Sequence, residues 1–497
     1  MSFNLTQEPW IPVVHPDFKV QEISLIELFK TWGNVREIQA ENPPTTLAIY
    51  RLLLAILHTT HKGPRDKDCW MKIYEDDGQK AVKYLQDNSN RFDLLHPEYP
   101  FMQDVALVDV KPVPVYSIHT MSTCKVFSHE HEWSGYSITL AQGSRLLVRL
   151  QSFDITSLRA FYAGQRSGKR SAVNTPTMNV ANVLIQGSTL KETLLFNLIK
   201  YEYDPSKEDF PSWETDNGYA GKPLEDLPRG DIHYLTFPWR RVKLVAENDS
   251  VRKIAITMGN SLPGDLTEEQ WERGIAYGKD KFHLTKQLWR NAHCFLLSDD
   301  KNDRPRVVDW FAKLPSKYKA KYKKALVPLQ VIGFRAFKAA PLAWSLEKLS
   351  VPSIYITDRD LATRLRRAIS IAEDHQWIFS WAANSPYHEL AKILNHQPEI
   401  LAKSLGGESR YWATLDHHFQ PFLLELAKDK TVNQTGTTYG SKTLPEWTAR
   451  VQRAARDAFT KSIQSIRNYE ARAKALKKLN SHLATLQEDK EEKGYSD

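Results

Sequence analysis

With 497 residues, 41% hydrophobic and 25% charged, the chain is too long for one core and ordinary enough in composition to be globular throughout, so two or three domains are expected. An excess of 67 Lys and Arg over 59 Asp and Glu, a formal +8, tilts the expected partner mildly toward a polyanion. No run of about eighteen apolar residues occurs, residues 1–14 lack the basic-then-apolar pattern of a signal peptide, and Cys69, Cys124 and Cys294 stand far apart; these features argue against a membrane span, a secretory leader, a disulfide framework and a cysteine zinc site, and predict a cytoplasmic protein.

In chain order, the spacing predicts a helix over residues 45–58, a strand over 145–150, a strand over 183–186 and a helix over 190–199, where Leu190, Leu194, Leu195 and Leu198 recur at helical intervals. Strands follow at 242–245 and 252–257. The polar stretches 161–174 and 203–229 read as loops with a role, or as disordered, rather than as filler. After Val351-Pro352 the texture becomes helical throughout, interrupted at Asn384-Ser385-Pro386, Gly406-Gly407 and residues 433–441. Helices are predicted over 358–383, 388–403 and 409–428, with a final pair or one long helix over 445–486. The expected fold is therefore α+β: a large mixed α/β N-terminal domain over 1–352, a C-terminal helical bundle of four-helix type over 353–487, and a frayed charged tail over 488–497.

Several strings suggest chemistry and are weakened by their spacing. Asp416-His417-His418 resembles a metal-binding triplet, but it falls within a predicted helix, where adjacent side chains point about 100° apart. His129-Glu130-His131-Glu132 lacks the i, i+4 histidines of a zinc protease. Gly164-Gln165-Arg166-Ser167-Gly168-Lys169-Arg170-Ser171 lacks both the glycine spacing and the Lys-Ser/Thr step of a phosphate-binding loop. It remains a loop suited to lie along a sugar-phosphate backbone through Arg166, Lys169 and Arg170, or a solvated surface loop. The run from Lys317 to Lys324 places five lysines and two tyrosines in eight residues. If helical, it aligns Lys317, Lys321 and Lys324 and sets Tyr318 over Tyr322, for phosphate contact or for pairing with carboxylates. No nucleophile and base set, paired carboxylates or dinucleotide fingerprint stands out, so no catalytic residue, metal or cofactor is assigned.

A set of strings in order along the chain resembles the CasA family, the large subunits of type I-E CRISPR Cascade complexes. They are Asn4-Leu5 to Val13, His96-Pro97-Glu98-Tyr99-Pro100-Phe101-Met102-Gln103, Val183 to Gly187 running into Leu194 to Leu198, Tyr234-Leu235-Thr236-Phe237 with Trp239-Arg240-Arg241, Tyr411-Trp412 with Phe419, and the helices between Trp447 and Leu483. The resemblance implies a noncatalytic subunit that recognises a protospacer-adjacent motif in double-stranded target DNA, assists duplex opening and R-loop formation, and helps recruit a helicase-nuclease. Its implied partners are the CRISPR guide RNA, the target DNA, the other Cascade subunits and that helicase-nuclease, with sequence read by base pairing.

Carried over residue by residue, the family's minor-groove lysine finger matches Lys281, with Lys279 as second choice. Its duplex-opening wedge matches Phe337 and Lys338, where relatives often have Asp-Gln, so the wedging chemistry is expected to be altered. The glycine loop has two alignments, Ser157 to Ala160 by distance from Gln151-Ser152-Phe153, or Gly164 to Gly168 by composition. Phe127 and His129 match a loop used near the motif and the guide end. Arg364, Arg367, Arg453 and Arg456 are expected to meet phosphates. Two other classes remain open: a metal-dependent nuclease using His129, Glu130, His131, Asp416 or His417, and a scaffold that binds only RNA and protein.

Overall fold

The computed structural model describes residues 2–119, 135–159, 171–221, 224–263, 275–277, 286–294, 305–319, 326–337, 340–433 and 442–493. The chain divides into two compact units, Met1–Leu288 with Asp300–Ser350, and Trp289–Asp299 with Val351–Asp497. The second unit thus takes up a segment that lies inside the sequence of the first.

The first unit begins with β1 (Ile11–Val14), β2 (Val20–Ile23), α1 (Leu25–Thr31) and β3 (Glu37–Ile38), whose strands form a sheet in the order β2-β1-β3. Helix α2 (Pro43–His61) follows, then α3 (Lys67–Asp76) and α4 (Gln79–Asp87). Helix α2 starts where Asn42 Oδ1 accepts from Thr45 N at 2.9 Å and two prolines occupy the first helical positions, which need no N–H donor. Nearly every side chain of α2 is buried, so it is a core helix rather than an amphipathic one.

Next come β4 (Val113–Pro114), α5 (Tyr116–His119), β5 (Ile138–Thr139) and α6 (Leu140–Ser152). Helix α6 overturns the strand expected over 145–150. Thr139 and Gln142 form a reciprocal capping box, Gln142 N donating to Thr139 Oγ1 at 3.1 Å and Thr139 N donating to Gln142 Oε1 at 2.9 Å. The Arg-Leu-Leu-Val-Arg-Leu run is buried on the helix, and its two arginines, four apart, find polar partners inside the unit. Leu146, Leu147 and Leu150 pack on the sheet formed by β9 (Arg240–Glu247), β10 (Ser250–Met258), β4 and β5, each contributing about 1.5–3 kcal/mol of apolar burial before ordering entropy. The approach is close at Gly143, where an added Cβ would lie 3.1 Å from a methyl of Val251.

The remaining elements of this unit are β6 (Ser157–Leu158), β7 (Ser171–Ala172), β8 (Ala181–Ile185), α7 (Leu190–Asn197), α8 (Asp231–Leu235), β11 (Ile275–Tyr277), α9 (Arg306–Lys313), β12 (Leu326–Phe337) and β13 (Ala340–Pro352). The strands expected over 183–186, 242–245 and 252–257 are β8, β9 and β10. The polar stretch 203–229 contains two single turns, and Asp209 within it accepts from Ile232 N at 3.1 Å and His233 N at 2.8 Å, holding the start of α8.

The second unit is helical, with long helices at Arg359–Gln376, Gly407–Asn433, Thr443–Ser462 and Tyr469–Lys493, and short ones at Pro386–Leu394 and Pro398–Leu405. Several boundaries differ from expectation, among them the helix expected over 358–383, which ends at Gln376 with one further turn to Phe379. The single helix expected over 388–403 is broken at Asn395, which has φ of 55°, and restarts at Pro398, whose ring cannot continue a helix. The tail expected to fray from 488 continues the last helix to Lys493. Asp358 caps the first long helix, its Oδ1 accepting from Leu361 N at 2.9 Å. No helix among the described residues is long and apolar enough to cross a membrane.

Candidate nucleic-acid interface

Two of the sequence-nominated segments connect to strands that flank β8. Strand β8 lies between β11 and β12 in a sheet ordered β11-β8-β12-β13. Both neighbours run antiparallel to β8, Tyr277 opposite Ala181 on one side and Gly333 opposite Ala181 on the other. Strand β11 therefore ends beside Ala181 and β12 passes it at Gly333, which sets Tyr277 and Gly333 on either side of Ala181, about 10 Å apart given two interstrand spacings. From β11 the chain continues directly toward Lys279 and Lys281. From β12 it continues four residues past Gly333 to Phe337, about 13 Å at strand rise, and β13 begins at Ala340. Strand β8 itself begins at Ala181, and β7 precedes it by eight residues. Lys279, Lys281, Lys338 and the Phe337 side chain lie outside the described residues.

Polar side chains pin this region. Asn182 Nδ2 donates to Ile332 O at 3.1 Å, Asn179 N donates to Phe334 O at 2.8 Å, and Ala336 N donates to Asn179 Oδ1 at 2.8 Å. Asn179 has φ of 62°, a left-handed conformation that asparagine tolerates better than most residues. Along β13, Leu342, Trp344 and Leu346 alternate on an exposed face, with the Trp344 ring edge-on to Phe334.

The glycine-loop candidate belongs to a two-stranded ribbon in which Ser157 pairs with Ala172 and Leu158 with Ser171. One of the two alignments, Ser157 to Ala160, thus begins inside a paired strand. Ala160, Gly164, Arg166, Gly168, Lys169 and Arg170 lie outside the described residues, as does the loop with Phe127 and His129.

The base of this ribbon was missed in the sequence. Asp154 is buried between two arginines, its Oδ2 accepting from Arg240 Nε at 2.5 Å and Arg159 Nη2 at 2.6 Å. Burial alone would push the Asp154 carboxyl upward, but Arg240 and Arg159 override it and hold the group below the ordinary value of 3.8. Arg240 also donates from Nη1 to Trp239 O at 2.8 Å and from Nη2 to Val173 O at 2.6 Å. On the other side of α6, Arg149 donates to Ile118 O at 2.6 Å and His119 O at 2.8 Å; burial lowers its pKa to about 10, with Asp154 and Glu41 opposing. His119 Nδ1 and Tyr136 Oη are 2.9 Å apart, so the two sides of the undescribed 120–134 segment meet at its base. The Trp239-Arg240-Arg241 string was visible in the sequence, but nothing local linked it to Asp154, 86 residues earlier.

The lysine-rich run serves structure where it is described. Ser316 to Lys319 form a turn rather than a helix. The Tyr318 ring packs against Trp70 and Tyr74 at 5.2 and 4.5 Å, and Lys319 Nζ caps α9 by donating to Phe311 O and Ala312 O at 2.8 Å each. Tyr322 and the lysines after Lys319 lie outside the described residues.

In the helical unit, Arg364 is half-buried and pairs with Asp360 at 3.2 Å, whereas Arg367, Arg453 and Arg456 are exposed. Each pair is three residues apart and shares a face of its own helix, and the two helices pack together. Asp416 accepts from Trp289 Nε1 at 2.6 Å; burial raises its pKa above 3.8, with the Trp289 bond and Arg290 opposing. Trp289 stacks on Phe419 at 4.3 Å, and the Arg290 guanidinium lies 3.4 Å above Trp412. Asp416 is therefore part of an aromatic socket, with the His417 and His418 rings 5.5 Å apart beside it. Among the described residues no group of three or more His, Cys, Asp or Glu side chains could hold a metal ion; the 129–132 string lies outside them.

This architecture is that of the CasA proteins. The structure of Thermus thermophilus CasA (Cse1) superposes with a TM-score of 0.77 at 23% identity, covering 98% of this chain and 99% of that one. A chain of a CRISPR RNA-guided surveillance complex gives 0.72 at 18% identity, covering 98% and 99%. In sequence, the CasA/Cse1 protein of Thermus thermophilus is 26% identical over 473 residues, 90% of this chain and 92% of that protein. The sequence model of CRISPR-associated protein Cse1 matches residues 4–458, and the chain belongs to that family.

Proposed function

We propose that this protein is the noncatalytic large subunit of a type I-E CRISPR Cascade effector, which recognises a protospacer-adjacent motif in double-stranded DNA, helps open the duplex for R-loop formation, and helps recruit a helicase-nuclease. Its partners are the guide RNA, the target DNA, the other Cascade subunits and that helicase-nuclease. Family membership supports the assembly. The observation that carries the DNA-reading role is the register at Ala181, where β11, which leads toward Lys281, and β12, which runs on to Phe337, flank the same residue of β8 and run in the same direction. In this reading Lys281 donates to an acceptor on the minor-groove floor, with Lys279 beside it, and Phe337 replaces stacking lost when the first base step opens while Lys338 neutralises phosphate. Ser157 starts the ribbon, Ala160, Gly164 and Gly168 follow it in sequence, and this stretch approaches the DNA backbone, with Arg166, Lys169 and Arg170 on phosphates. Phe127 and His129 lie near the motif and guide end.

The test uses the assembled complex with duplexes that carry or lack the motif. Lys281→Ala is expected to weaken motif-bearing duplex by about 1–3 kcal/mol and motif-free duplex far less. Equal weakening would assign Lys281 to phosphate, and a complex without motif preference would leave only the RNA and protein scaffold. Phe337→Ala is expected to slow opening of fully paired targets and to matter little where the first pairs are already mismatched. Neutralising Arg364, Arg367, Arg453 and Arg456 together should flatten the salt dependence of log K by about 3–4 if each meets a phosphate. Metal-dependent cleavage by the purified chain, abolished by His129→Ala or His417→Ala, would replace this reading with a nuclease.

A further inference from the structure

Resting on the DNA-reading role above, we propose that Tyr469, at the turn between the helices Thr443–Ser462 and Tyr469–Lys493, stacks on a base of the displaced DNA strand, and that the cations around it hold that strand's phosphates. Charge is concentrated here. Between residues 450 and 478 nine Arg and Lys stand against two acidic residues, a formal +7 where the whole chain carries +8. The fold turns the cations outward. The first helix buries Trp447, Val451, Ala455 and Phe459, and the second buries Ala471, Ala475, Leu479 and Leu483, each a stripe at every fourth residue. Six of the nine cations, Arg453, Arg456, Lys461, Arg467, Lys474 and Lys477, are left exposed. Internal pairing does not neutralise them: among the described residues only Lys474 of the nine lies within ion-pair distance of a carboxylate, Glu470 at 2.8 Å. Like charges meet at helical spacing instead, Arg453 with Arg456 and Lys474 with Lys478, where they repel. A surface kept for solubility mixes the two signs, so a segment of +7 fits a polyanion that offsets the repulsion.

Tyr469 narrows the polyanion to an unpaired strand. Asn468 caps the second helix, its Oδ1 accepting from Ala471 N at 2.9 Å, which sets Tyr469 at the first helical position, ahead of the buried stripe. The ring is 79% exposed, with the Arg472 guanidinium 5.7 Å from its centroid and Arg467 two residues before it. An exposed aromatic among cations is how sequence-tolerant sites hold single strands, with bases on the ring and phosphates on the cations. Stacked base pairs of a duplex present only their edges in the grooves, so a continuous duplex gives the ring nothing to stack on. Once the duplex opens, the target strand pairs with the guide, and the displaced strand is the DNA left with free ring faces. Its sequence changes with every target, which suits a site built from charge and stacking rather than from hydrogen-bond readout.

The test uses the assembled complex and a target strand complementary to the guide, offered either with a mismatched second strand, so that no opening is needed, or without one. Tyr469→Leu keeps apolar bulk but removes the ring at an exposed position, where folding does not depend on it. Binding is expected to weaken about fivefold or more when the second strand is present and less than about twofold when it is absent, with the salt slope unchanged because stacking releases no counterions. An abasic nucleotide scanned along the second strand should reproduce the loss at one position, where Tyr469→Leu adds nothing further. Arg467→Ala and Lys477→Ala together should instead lower the salt slope by about 1.4, at about 0.7 for each single-strand phosphate. No loss, or losses from the abasic site and Tyr469→Leu that simply add, overturns the proposal. So does equal loss with and without the second strand, which would place guide RNA or target strand on the ring, and so does release of a protein subunit at unchanged DNA affinity, which would make the partner an acidic protein. Failure of the DNA-reading role is distinguishable, since the unaltered complex would then show no motif preference on paired duplexes, while the mismatched target needs no motif to be opened.

Discussion

Each unit sets a carboxylate among large side chains, Asp154 buried and Asp416 half-buried, and the two treat it in opposite ways. Asp154 in the mixed unit meets two guanidinium groups, which overcome the cost of burial and hold it ionised. Asp416 in the helical unit meets a neutral indole N–H, with Arg290 contributing less, and burial prevails, so its pKa rises. The difference lies in what the neighbours need. Arg240 requires an anion to compensate its own burial, whereas Trp289 requires only an acceptor, which need not be charged.

The largest expected effect comes from removing the charge where it is needed. Asp154→Asn leaves Arg240 buried without a counter-charge and is expected to destabilise the mixed unit by about 3–5 kcal/mol. Chemical unfolding followed by a probe within that unit would measure it. A loss below about 1 kcal/mol would mean that water reaches the arginines and that the two carboxylates are not opposites after all.

Trp289→Phe sharpens the other side. Phenylalanine retains much of the stacking on Phe419 but has no N–H for Asp416, and the socket loses volume. The expected cost is about 1–2 kcal/mol, read as a lower unfolding midpoint of the helical unit. No change would show that the indole bond contributes nothing net.

How much of this was legible in the sequence depends on how far apart the partners lie. Helix α2 and strands β8, β9 and β10 follow from local periodicity, whereas the stretch Asn384-Ser385-Pro386, read as an interruption, holds the cap and first residue of a helix that begins two residues before the expected 388. At 145–150 the run of large apolar residues suggests a strand, while the helix start is signalled locally by Thr139-x-x-Gln142. The Asp154 cluster had no local signal, since its members at 154, 159 and 240 meet only once α6 and β9 pack. The same is true of the Trp289–Asp416 pair, separated by 127 residues, and of the Trp289–Asp299 segment joining the second unit. The finger and wedge segments were nominated by family likeness, while the placing of β11 and β12 on either side of Ala181 needed the strand register.

The opposite shifts also predict opposite responses to acid. The depressed pKa of Asp154 gives stability that is present above 3.8 and is lost as pH falls through its lower value. The raised pKa of Asp416 gives stability that is present below 3.8 and is lost as pH rises through its higher value. Either carboxyl alone can change the slope of stability by at most about 1.4 kcal/mol per pH unit. Comparing unfolding between pH 3 and 7, Asp154→Asn should flatten the acid-side loss of the mixed unit. A parallel shift of the whole curve would mean that the carboxylate is not the titrating group.

Asp416→Asn should give the smallest effect, and for that reason it tests the comparison most closely. The asparagine carbonyl can accept the Trp289 N–H as the carboxylate does, so the bond at 2.6 Å has a replacement. Two electrostatic changes then oppose each other. The desolvation cost of the charge disappears, and so does its attraction to Arg290, the two influences that already pull the Asp416 pKa in opposite directions. Asp416 is only half-buried, so solvent screens both, and at neutral pH the net change is expected within about 0.5 kcal/mol of zero. The raised pKa favours a slight gain over a slight loss. Unfolding of the helical unit at pH 7, with Asp416→Leu alongside to remove the acceptor altogether, separates charge from hydrogen bonding: the leucine variant should lose about 1–3 kcal/mol while the asparagine variant holds. If asparagine proves as costly as leucine, the indole depends on the negative charge, and Asp416 is held ionised in the way Asp154 is.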